Sequence, residues 1–123
     1  MYTFKFSVNN TAWTVKCGSF FPKIFGAAAN SIGHTTRIVS GYCPDAESLA
    51  HEWFHIASTS TFRYVVSIVI GWLWDDSYHK NQEIGANLFG KLHKTDSIFV
   101  TSAATIRAAL PADWETVTIE HKV

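Results

Sequence analysis

Residues 51 to 55 read His51-Glu52-Trp53-Phe54-His55, two imidazoles four positions apart with a carboxylate next to the first. On a helix that spacing puts both rings on one face, one turn apart and about 5 to 6 Å between Cβ atoms, so both can reach one Zn²⁺ at about 2.0 to 2.1 Å. Glu52 then stands beside that face. Its carboxylate is placed to take a proton from a zinc-bound water as general base rather than to bind the metal. The flanks Leu49, Ala50, Trp53, Phe54, Ile56 and Ala57 are uncharged, as a helix packed into a core requires. Two histidines and a glutamate on such a helix are costly to bury without a metal.

The elements that must position these residues follow from periodicity and punctuation. Tyr2, Phe4, Phe6 and Val8 alternate with polar residues, Asn9-Asn10 reads as a tight turn, and Trp13 and Val15 resume the alternation. Residues 2 to 16 are therefore expected to form a β-hairpin. Residues 18 to 34 read as irregular or as one short helix, and Thr35 to Ser40 as an edge strand. Pro44-Asp45 signals a helix N-terminus, with Asp45 as cap and Glu47 in the first turn, so a helix is predicted from about Ala46 to Ala57, around the motif. The apolar run Phe62 to Trp74 is a second helix or a buried strand. Tyr78 to His93 is a further helix, with Ile84, Leu88 and Leu92 on one face. A short helix is expected over Ala103 to Leu110, stopped by Pro111, and a last strand around Val117 and Ile119.

The stretch from Ser48 to Ile56 resembles the active-site helix of zincin metallopeptidases. Asn81-Gln82-Glu83-Ile84-Gly85-Ala86-Asn87 resembles the glutamate-bearing helix of small gluzincin-like peptidases of bacteria and phages. The resemblance spans roughly residues 35 to 94. It implies an α+β zincin-like minimal domain over residues 1–123, with an N-terminal β-hairpin and an edge strand packed on an active-site helix and a second ligand-bearing helix. It also implies one Zn²⁺ per chain and a protein or peptide substrate bound in extended form along the edge strand, here Thr35 to Ser40.

A catalytic zinc takes three protein ligands and keeps one position for water. Metzincin spacing is excluded, because Ser58 and Thr61 stand where that class has glycine and histidine. Glu83 is the leading third ligand, early on its own predicted helix and in the gluzincin-like setting. His79, one turn earlier on that helix, is the alternative ligand or an oxyanion donor. Asp75 lies where thermolysin-like enzymes carry their glutamate, but it is shorter and reads as a capping residue. Tyr78, His79, Tyr64 and His93 could each stabilise the oxyanion, Tyr78 and His79 being the catalytic candidates beside Glu52.

Composition narrows the remaining classes. Ten basic residues balance ten acidic ones, so there is no stripe for nucleic acid. The most apolar run, Tyr64 to Trp74, is about half the ~20 residues a membrane helix needs and lacks flanking basic clusters, which leaves no membrane role. The N-terminus lacks a signal-peptide pattern, so a cytoplasmic or already processed protein is expected. Cys17 and Cys43 are expected to be buried free thiols. Two other readings compete: a zincin-like module that binds zinc and a host target without cleaving it, which the intact Glu52 disfavours, and a structural zinc site closed by Cys17 or Cys43.

Overall fold

Asn9 and Asn10 both adopt positive φ, 51° and 65°, the two left-handed residues that a tight hairpin turn of the primed kind demands. They join β1 (Tyr2–Val8) to β2 (Thr11–Cys17) in an antiparallel pair running from Tyr2 opposite Cys17 to Val8 opposite Thr11. The computed structural model describes residues 2–19, 29–58, 66 and 77–114. Among these, β3 (Ala29–Ile32), β4 (Thr35–Ile38), α1 (Ala46–Ser58), α2 (Ser77–His93) and α3 (Ser97–Ala109) complete the chain order. The class is α+β. The expected elements over 62–74 and 116–120 lie outside the described residues.

The sheet order is β1-β2-β4-β3, with β2 and β4 parallel and β3 antiparallel to β4. Two expectations change. The segment at Thr35 is an interior strand, and among the described residues the edge on that side is β3, which falls within the stretch expected to be irregular. β3 reads Ala-Asn-Ser-Ile, poor in strand-favouring side chains. It is held because Ser31 and Thr36 face each other across the ladder and join a buried hydrogen-bonded network.

One sheet face carries Trp13, Val15, Cys17, Thr36 and Ile38, all fully buried, and α1 lays Leu49, Ala50, Trp53 and Ile56 on it. Trp13 is the centre of this core, its ring 5.5 Å from Trp53 and 6.4 Å from Phe99 of α3. Both tryptophans are thus core residues. α3 begins six residues earlier than its expected start. Its Ser102 and Thr105 hydroxyls turn back to the carbonyls of Ile98 and Thr101, which lets helix-averse residues continue the helix and hides it from propensity. It stops where Leu110 becomes extended before Pro111. None of the described helices is long and apolar enough to cross a membrane.

α2 packs on α1 through its small and polar face. The stripe Ile84, Leu88 and Leu92, expected on one face of the helix, is 51%, 57% and 74% exposed. The inward face carries Ala86, Phe89 and Gly90 together with Gln82 and Glu83. Gly90 permits the approach: a Cβ there would lie 2.9 Å from the backbone oxygen of Glu47 and 3.5 Å from the Cβ of His51. At Gly85 the obstacle would be the ring tip of Phe54 at 2.7 Å, a side chain able to rotate away.

Gly90→Ala is therefore expected to destabilise the fold despite better helix propensity. Overpacking against backbone costs about 1–3 kcal/mol, against a propensity gain of up to about 1 kcal/mol. Gly85→Ala should cost less. Urea denaturation of the two variants checks the order, and a Gly90→Ala protein more stable than wild type would show that the helices are not in this close contact.

Candidate metal centre

The register of α1 is set at its first turn, where the Ser48 amide donates to Asp45 Oδ1 at 2.8 Å. With Leu49, Trp53 and Ile56 committed to the sheet, the ~100° advance per residue turns Glu52 toward β3 and His51 and His55 toward α2. α2 answers with Glu83. His55 Nε2 lies 3.0 Å from Glu83 Oε1, and His51 Nε2 lies 3.4 Å from Glu83 Oε2. The rings of His51 and His55 sit with centroids 5.2 Å apart.

These separations can be set against the chemistry of a cation. Ligand atoms at about 2.0–2.2 Å from a tetrahedral centre stand roughly 3.3 Å from one another. One ligand atom from each of His51, His55 and Glu83 lies within 4.8 Å of the others, so the trio fits the group its types suggest. Two neutral imidazoles and one carboxylate also suit zinc by donor kind. The described residues bring three potential ligand atoms together and no fourth, and neither Cys17 nor Cys43 joins them.

Gln82 orients the buried imidazole. Its side-chain oxygen lies 3.2 Å from His55 Nδ1, where it can only accept, and 3.2 Å from Ser58 Oγ, whose proton goes chiefly to the nearer Phe54 carbonyl at 2.5 Å. A proton held on Nδ1 leaves Nε2, the nitrogen facing Glu83, as the coordinating atom. The hydrogen bonds from His51 and His55 hold the Glu83 carboxyl far below the usual carboxylate range. The Glu83 hydrogen bond raises His51 above the ordinary imidazole value against the opposing effect of burial, with Glu52 adding to the rise. A cation bound here would have to displace the His51 proton, so its binding would weaken as pH drops through the raised His51 value.

Glu52 is 8% exposed. Ser31 Oγ donates to its Oε1 at 2.8 Å, while Oε2 lies 3.8 Å from His51 Nε2. Burial pushes the Glu52 carboxyl up, and the Ser31 hydrogen bond and the two imidazoles pull against that. A carboxyl raised by burial is the kind of group that can take and return a proton. A cleft of about 280 Å³ opens beside it, lined by Ala29, Tyr42, Ser48, His51, Glu52 and Asn87.

Of the candidate residues, the fold brings Glu52, His51, His55 and Glu83 together. Tyr78 and His79 are in the first turn of α2, but their side chains lie outside the described residues, as do Asp75 and Tyr64. His93 does not join the trio: its Nδ1 pairs with Asp96 Oδ2 at 2.7 Å past the end of α2. Cys17 is fully buried, its thiol pushed up to about 12 by burial and then by Cys43. Sequence reasoning missed Ser31 and Gln82. Gln82 directly precedes Glu83, and a polar residue next to a ligand on a helix was the signal for it. Ser31 had none, because its role depends on a strand whose pairing is non-local. Compared with family models, curated proteins and solved structures, the chain matches none.

Proposed function

We propose that the chain is a zinc-dependent peptidase of zincin-like build, with His51, His55 and Glu83 as metal ligands and Glu52 as general base. The observation that carries this reading is the convergence of one ligand atom from each of the three residues within 4.8 Å, beside a buried carboxylate at a cleft. A Zn²⁺ held by His51, His55 and Glu83 would supply Lewis acidity in the cleft.

The chain's own residues do the rest. Glu83 offsets the cation's charge, and Gln82 keeps His55 in the tautomer that can bind it. Glu52 takes a proton from the attacking water and hands it to the departing amine nitrogen. β3 is the sheet edge nearest this chemistry, since Ala29 lines the cleft and Ser31 touches Glu52. An extended peptide adding to that edge would bring its backbone past the carboxylate.

The purified protein is expected to hold close to one Zn²⁺ per chain after dialysis without chelator. With zinc it should cleave members of a mixed peptide library, and it should stop when a chelator is added. Elemental analysis and mass spectrometry of the digests read both. Stoichiometric zinc missing from the isolated and the zinc-reconstituted protein alike would remove the foundation of this reading.

A further inference from the structure

Behind Glu52 a line of hydrogen bonds runs into the sheet. Trp13 Nε1 lies 2.9 Å from Thr36 Oγ1, Thr36 Oγ1 lies 2.7 Å from Ser31 Oγ, and Ser31 Oγ lies 2.8 Å from Glu52 Oε1. Trp13 and Thr36 are fully buried and Ser31 is 3% exposed, so water is excluded from the line. Its direction then follows from the donor inventory. The indole N–H can only donate, so Thr36 Oγ1 accepts there, and each hydroxyl carries one proton. Ser31 donates its proton to Glu52, which obliges Thr36 to donate to Ser31. Reversing either hydroxyl would leave a buried hydroxyl proton without an acceptor, which buried polar groups avoid.

We propose that Trp13, Thr36 and Ser31 form a one-way donor relay that fixes Oε1 of Glu52 as an acceptor and so sets the roll of that carboxyl, with Oε2 held on the His51 side. Ser31, Thr36 and Trp13 are thus positioning residues: they touch no reacting atom and act by deciding which lone pairs of Glu52 face the cleft. The orientation stands on its own geometry, whereas its catalytic consequence rests on the peptidase reading.

The test is NMR of the full chain, with the Trp13 indole N–H identified by its disappearance in Trp13→Phe. Thr36→Val should move that resonance upfield and speed its exchange with solvent, and Thr36→Ser should restore both. Ser31→Ala, two bonds away, should also move it, because Thr36 loses the acceptor that orients its hydroxyl. An indole resonance unmoved in Ser31→Ala would overturn the relay. Glu52→Gln gives a second measurement in a protein with every relay hydroxyl intact: its amide oxygen should face Ser31 and its NH₂ should face His51. Amide-proton contacts to Ser31 in place of His51 would overturn the proposal. In the zinc-loaded protein, Ser31→Ala should lower kcat on the order of 10-fold, the scale of a lost hydrogen bond to a charged group, with KM and zinc affinity unchanged. An unchanged kcat in a protein that does hydrolyse would refute the catalytic consequence. Indole shifts and amide orientation as stated, in a protein that hydrolyses nothing, would keep the relay and overturn the peptidase reading.

Discussion

Glu52→Gln is expected to retain fold and zinc and to lose hydrolysis by 10² to 10⁴-fold, the usual contribution of a general base. The amide is nearly the same size and can accept from Ser31 as Oε1 does at 2.8 Å. It cannot take up a proton at the oxygen it lacks. Circular dichroism and metal content should therefore match wild type while turnover of a validated peptide collapses. Equal turnover by the two proteins would remove Glu52 from the role, zinc or no zinc.

The second large effect concerns the metal. Glu83→Ala should weaken zinc binding by more than 100-fold, because it deletes a bond and the carboxylate charge that lies 3.0 Å from His55 Nε2 and 3.4 Å from His51 Nε2. Gln82→Ala removes only the group that orients His55, and losses of that kind run about 10 to 100-fold. Both sit on α2, so damage to the helix would affect them alike and the difference between them reports coordination. Competition with a chromogenic chelator measures the series. A His79→Ala protein that loses zinc while Glu83→Ala keeps it would transfer the third position to His79.

The parts legible in the sequence are those governed by near neighbours. Asn9-Asn10 announces the hairpin because few other residues tolerate two positive φ angles in succession. Pro44-Asp45 announces α1 because the cap is made three residues away, and with α1 placed, the spacing of His51 and His55 follows. What stayed hidden depends on distant partners. Periodicity finds the Ile84, Leu88, Leu92 stripe but not which way it faces. The inward side of α2 is chosen by Gly90, which lets backbone meet backbone, and by Glu83, which has two imidazoles to meet. Neither registers as hydrophobic. β3 was hidden for the same reason, since Asn30 and Ser31 look like loop until Thr36 and Glu52 are brought alongside. The interior place of β4 comes from its parallel pairing with β2, and no feature of Thr35–Ile38 itself encodes it.

The thiol of Cys17, sealed at the junction of β2 and β4, gives the protein an internal reporter of its own breathing. Only the thiolate reacts with alkylating agents, and a group pushed up to about 12 by burial is almost never a thiolate while the sheet stays closed. Labelling at Cys17 must therefore wait for the central strands to part, and its rate reads the free energy of that opening. In a Cys43→Ser background the reading comes from a single atom. It lies on the same sheet face as Thr36, so it samples the platform beneath the candidate centre without touching the centre itself.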